Sequence, residues 1–132
     1  MSRLLFDTTF LIDAERQADE LDIAIEADDD AAIAAVTIAE LRVGALLADR
    51  RRQAARAAYV DDILSIIPVL DYDIDVAETH AELLVAVRSR GKPRGAHDLI
   101  IAATAKAHDR TVVTADVHAF HDLPGVEVRP HR

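Results

Sequence analysis

Cysteine and tryptophan are both absent from the 132 residues. Without cysteine there is no disulfide framework, no thiolate metal site and no cysteine nucleophile. Aromatic side chains are confined to Phe6, Phe10, Tyr59, Tyr72 and Phe120, 4% of the chain, which disfavours the stacking platforms that hold single-stranded nucleic acid. The core must therefore be built from Ala, Leu, Ile and Val. Positive charge is scarce as well: 15 basic against 24 acidic residues leave a formal charge of −9. That balance argues against a non-specific nucleic-acid coat protein, whose affinity comes from Lys and Arg on phosphates. It leaves a nucleic-acid enzyme open, because cations bound by a carboxylate cluster reverse the local field. No apolar run approaches the roughly 18 residues that span a bilayer, and the first residues lack the basic-then-apolar pattern of a signal peptide. A cytoplasmic protein with no membrane segment is expected. Glycine-rich phosphate-cradling motifs are missing too.

The length fits one domain, residues 1–132, and a hydrophobic share of 51% with 30% charged residues is that of a globular chain. Leu4-Leu5-Phe6 reads as a buried strand ending at Asp7, and residues 10–28 as one or two helices. Ala31–Val36 reads as a second strand, followed by Thr37-Ile-Ala-Glu40, a capping-box pattern at the head of a long helical stretch. A third strand falls within Ser65–Leu70; Pro68 assigns it to a sheet edge, because proline cannot donate to a central ladder. Asp73–Arg90 has apolar residues at 74, 77, 81, 84 and 85 and predicts an amphipathic helix. Gly91–Gly95 is a turn, Leu99–Ala107 a buried helix, Thr111–Thr114 a fourth strand and Val126–Val128 a fifth. Strands alternating with helices imply an α/β fold, a mostly parallel sheet covered on both faces.

In such a sheet ligands bind beyond the carboxyl ends of the strands. Asp7-Thr8-Thr9 follows the first strand, Thr37 and Glu40 the second, and Thr114-Ala115-Asp116 the fourth. Asp98 opens the most buried helix, where the helix dipole favours an anion. Each acid also has a structural reading: Asp7 and Asp98 as N-caps, Glu40 as a capping-box residue, Asp116 as a turn residue. If they share one edge, pairs about 5 Å apart repel by roughly 3 kcal/mol at an effective dielectric near 20, and cations or protons must relieve them. Oxygen ligands alone suit Mg²⁺ or Mn²⁺, which are suited to phosphodiester hydrolysis.

The pieces Leu-Leu-Phe-Asp7-Thr-Thr, Val-Thr-Ile-Ala-Glu40-Leu-Arg-Val-Gly, Gly-Ala-His-Asp98-Leu-Ile-Ile-Ala-Ala-Thr-Ala, Val-Val-Thr114-Ala-Asp116 and Leu-Pro-Gly-Val-Glu-Val, in this order, resemble the PIN-domain ribonucleases, and among them the VapC toxins of toxin–antitoxin pairs. The resemblance spans the whole chain. It implies a parallel sheet in the order 3-2-1-4-5, a divalent-metal site and endonucleolytic cleavage of RNA. By motif position Asp7, Glu40, Asp98 and Asp116 would form the acidic quartet, with Thr8, Thr9 and Thr114 as supporting hydroxyls. Relatives often carry Asp or Asn in the two places before Phe120; here they hold His118 and Ala119, which puts an auxiliary carboxylate there in doubt. The resemblance further implies a homodimer and a VapB-type antitoxin with a basic tail. Its helix is expected on Leu11, Ile12, Leu21, Ile23 and Ile25, with an arginine reaching the acids. Arg90, Lys92 and Arg94 are read as RNA-affinity residues, against solvated surface.

Other readings fit less well. A haloacid-dehalogenase-type phosphatase needs a second Asp where Thr9 stands. A receiver domain needs a lysine after its last strand, and Lys92 and Lys106 are the only lysines. His118 and His121 could bind zinc but lack further ligands, and His97 is expected to pack or cap beside Asp98. A metal-dependent phosphohydrolase of another α/β family, or an inert PIN-like module acting through protein contacts, remains the alternative.

Overall fold

A computed structural model describes residues 2–17, 29–91 and 93–131. The elements are β1 (Arg3–Phe6), α1 (Thr8–Arg16), β2 (Asp30–Ala34), α2 (Ala35–Leu47), α3 (Arg50–Ile66), β3 (Val69–Leu70), α4 (Ile74–Arg90), α5 (Ala96–Ala107), β4 (Thr111–Thr114), a 3₁₀ turn (Val117–Ala119) and β5 (Val128–Pro130). All strand pairings are parallel, in the order β3-β2-β1-β4-β5. That is the expected order, with the Pro68 strand at one edge.

Alternation along each strand builds two cores. Leu5, Ala32, Ala34 and Val112 face α4 and α5, where Val76, Leu83 and Ile101 are buried. Leu4, Phe6, Ile33 and Val113 face the other way, against Phe10, Leu11, Val60 and Ile63 of α1 and α3. With so few aromatics, the packing relies on small residues: Ala102, Ala103 and Ala105 of α5 are fully buried, letting that helix lie close on the sheet.

Several local expectations are corrected. The second strand stops at Ala34, and Ala35 and Val36 already belong to α2, whose N-cap Ala34 makes no side-chain hydrogen bond. Thr37 is therefore inside the helix and fully buried, and Thr37–Glu40 is not a capping box. The long helical stretch is broken where the Asp49 side chain caps Arg52 N–H and starts α3. β3 is only two residues, because Ser65 and Ile66 finish α3. The fifth strand begins at Val128 rather than Val126, whose N–H is spent on a turn to Leu123. On α4 the buried stripe is Val76, Leu83 and Val87, whereas Ile74 and Val85 are 78% and 63% exposed. That helix thus carries a second apolar face directed away from the core. The 10–28 helical region is α1 up to Arg16; its remainder, 18–28, lies outside the described residues, as does Lys92.

Candidate functional site

The carboxyl ends of β1, β2 and β4 lie side by side, and each delivers part of one polar cluster. Asp7 leaves β1, is 2% exposed, and caps α1 by accepting from Phe10 N–H at 2.8 Å. The cap reading of Asp7 is correct, but a cap alone needs none of what surrounds it. Thr9 Oγ1 donates to the same carboxylate at 2.9 Å, and Thr114 Oγ1 donates to its Oδ2. Each hydroxyl in turn accepts a backbone N–H from the segment after β4: Ala115 N on Thr9 at 3.1 Å and Asp116 N on Thr114 at 2.9 Å. The two threonines thereby fix the start of that loop to Asp7. Three donors on one carboxylate leave roughly one of its four lone-pair directions free.

Glu40 sits in the second turn of α2. Its Oε1 accepts from Thr8 Oγ1 at 2.7 Å, and Thr8 also lies 3.3 Å from the Thr37 hydroxyl. Its Oε2 is 3.5 Å from His97 Nδ1. Asp98 is in the first turn of α5, whose N-cap Gly95 makes no side-chain bond, so Asp98 is not the cap either. The carboxylate folds back over Gly95: a Cβ there would meet Asp98 Oδ2 at 2.8 Å, which is why residue 95 must lack one. Asp116 is exposed on the loop after β4.

Electrostatics tie the four acids together. Asp98 is pushed above the usual carboxylate range, by burial first and then by the charges of Glu40, Asp7 and Asp116, with His97 acting the other way. Asp7 is raised too: its burial, aided by Asp116, outweighs three hydrogen bonds that favour the anion. Glu40, Gly95, Ala96, His97 and Asp98 line an open depression of about 310 Å³. Among the described residues no three acids or histidines stand close enough to hold a metal ion as they are. Mg²⁺ asks for less, since it commonly keeps several waters and takes one or two carboxylates. Oxygen-only donors whose mutual repulsion is unrelieved fit such a hydrated ion; they would not fit zinc.

Sequence reasoning missed Thr37 and the contact of His97 with Glu40. Thr37 lies one turn before Glu40 on the same helix, and that spacing was the available signal. His97 does not cap; it is 56% exposed at the mouth of the depression. Arg90 and Arg94 lie at the corner between α4 and α5, where their guanidinium groups donate to the carbonyls of Asp122 and His121. Of the residues expected to receive a partner helix, Leu11 is fully buried and can receive nothing. Ile12 is 40% exposed; Leu21, Ile23 and Ile25 lie outside the described residues. Ile12 instead borders a groove of about 470 Å³ between α1, α2 and α3, with Leu41, Tyr59 and Val60 as its apolar part and Glu15, Arg16, Glu40, Arg52 and Arg56 as charged members. Tyr59 braces it by donating to Leu11 O at 2.6 Å; burial and Glu15 push its phenol up, so it stays a donor.

Comparison with known proteins agrees with this geometry. Residues 4–126 match the family model described as PIN domain. The chain is 36% identical over 100 residues to the VapC ribonuclease Y4jK of Sinorhizobium fredii, covering 73% of this chain and 71% of that protein. Among solved structures it superposes on DNA-bound VapBC from Salmonella typhimurium with a TM-score of 0.87 at 25% identity, covering 98% of both chains. On VapBC-5 from Mycobacterium tuberculosis the TM-score is 0.79 at 30% identity, covering 98% of this chain and 99% of that one.

Proposed function

The chain belongs to the PIN domain family, and from that premise we propose that it is the toxin of a toxin–antitoxin pair, a divalent-metal-dependent endoribonuclease working in one domain, residues 1–132. The observation that carries this reading is the electrostatic coupling of Asp98 to Glu40, Asp7 and Asp116 at one end of the sheet. Such repulsion is costly to maintain in a merely structural cluster.

Asp7, Glu40, Asp98 and Asp116 would hold Mg²⁺ or Mn²⁺, which when bound lowers the pKa of a water and neutralises charge on the attacked phosphate. The chain's own residues do the rest. Thr9 and Thr114 keep the Asp7 carboxylate turned toward the site, and Thr8, backed by Thr37, holds Glu40 through one oxygen and leaves the other facing the depression. Glu40 is thereby set to accept a proton from an attacking water. His97 stands beside it at the entrance.

The partner proposed is a VapB-type antitoxin. Its apolar helix would lie in the groove bordered by Ile12, Leu41, Tyr59 and Val60. Its basic tail would continue past Glu40, where an arginine pairs bidentately with the acids. A homodimer is also proposed, supported by the exposed apolar residues Val43, Leu46 and Leu47 of α2 and Ile74 and Val85 of α4. Among the described residues no helix is long and apolar enough to cross a membrane.

The test is cleavage of cellular RNA by the purified chain. Activity is expected with Mg²⁺ or Mn²⁺, lost in EDTA and restored by added metal. Full cleavage in EDTA overturns the mechanism.

A further inference from the structure

Two arginines at the corner between α4 and α5 reach across to a different loop. Arg90 Nη1 donates to the carbonyl of Asp122, and Arg94 Nη2 to the carbonyl of His121. Among the described residues no backbone N–H donates to either carbonyl. Asp122 has φ 64°, a left-handed conformation that few residues other than glycine adopt, so the backbone there is held in an unusual course. This loop joins β4 to β5, and it starts in the acidic site: the N–H groups of Ala115 and Asp116 are taken by Thr9 and Thr114. Between the two fastenings lie Asp116 and the 3₁₀ turn, while Phe120 and Leu123 are buried beneath them. Asp116 is itself exposed, so packing of its side chain does little to place it and the course of the backbone must do so.

We propose that Arg90 and Arg94 are positioning residues: they clamp the far end of this loop and so hold Asp116 at the acid site, rather than forming a patch that contacts RNA. The inference rests on the proposed role of Asp116. It accounts for two cations beside the site in an acidic protein by the carbonyls they satisfy, and misplacing a reacting group by about 1 Å can cost a hundredfold in rate.

The experiment compares Arg90→Gln, Arg94→Gln and the double variant of the full chain. It measures hydrogen exchange of the loop amides, and kcat, KM and salt dependence on a single-stranded RNA oligonucleotide. For the double variant the amides of Phe120, His121 and Val126 should exchange faster than in the parent, while strand amides keep their protection. In the same variant kcat should fall about tenfold to a hundredfold, with KM and the salt slope unchanged. The proposal is overturned if loop protection and kcat are kept while KM rises and the salt slope shrinks by about 0.7 per lost contact, the signature of a phosphate contact. Should the double variant lose protection throughout the sheet, the single variants, each keeping one clamp, carry the same comparison. An inactive parent chain would overturn the ribonuclease reading alone, because the exchange comparison needs no substrate.

Discussion

Replacing Asp7 with asparagine removes a charge from a position that is 2% exposed, and the sign of its effect on stability can be worked out from the neighbours. Against the change stand three hydrogen bonds, from Phe10 N–H, Thr9 and Thr114. Each loses charge assistance worth about 1 kcal/mol, although an amide oxygen still caps the helix. In favour stand relief of burying the anion and relief of repulsion from nearby acids, up to roughly 3 kcal/mol for a pair about 5 Å apart. The raised pKa of Asp7 says which side wins: burial and Asp116 together exceed the three bonds. Asp7→Asn should therefore gain about 1–2 kcal/mol in the absence of metal. A chain of this length has an unfolding entropy of about 0.28 kcal/mol/K, so the gain is roughly 4–7 °C in Tm. The assay is thermal melting in EDTA and again with excess Mn²⁺. Metal at a hundred times its Kd should stabilise the parent by about 2.7 kcal/mol and the variant far less. Activity should fall by orders of magnitude. An Asp7→Asn protein that melts several degrees lower in EDTA would refute the reasoning, for Asp7 would then be chiefly a cap and a hub for two threonines.

Three further outcomes are expected. Glu40→Gln keeps an oxygen for Thr8 at the 2.7 Å position, so its Tm should match the parent while turnover is lost; a stable and fully active variant removes Glu40 from the chemistry. Thr114→Val keeps the volume of a fully buried side chain but deletes the donor to Asp7 and the acceptor of Asp116 N–H, and should cost about 1–3 kcal/mol and lower kcat, read by melting and single-turnover cleavage. Stability without metal should fall as pH rises through the raised pKa values of Asp7 and Asp98, because over that window the folded state binds more protons than the unfolded one; Asp98→Asn should flatten this slope in melts between pH 4 and 8, and an unchanged slope would show that the acids are not coupled.

How far the sequence discloses the molecule depends on which interaction fixes each part. Strand order and the positions of Asp7, Glu40, Asp98 and Asp116 were legible because chain order and right-handed crossovers leave few ways to lay five short strands in one sheet. The start of α2 was not legible. A Ser/Thr-x-x-Glu pattern signals a cap when the threonine is free to serve the backbone, but here Thr37 is committed to Thr8, and the helix begins two residues earlier with no side-chain cap. The buried face of α4 was misjudged for a related reason. Periodicity reports an apolar stripe without saying what covers it, and Ile74 and Val85 have the spacing of a core stripe while Val76, Leu83 and Val87 take that role. The clearest limit lies in the basic residues at the α4–α5 corner. A run of arginines beside acids invites a reading as phosphate contacts, yet Arg90 and Arg94 spend donors on carbonyls about 30 residues away, a distance over which neither pattern nor propensity carries information. The same long-range bonding that hid their partners is what can hold a loop at an active site: a contact legible from local sequence could order only its own element, whereas Asp116 must be held in register with acids delivered by β1, α2 and α5.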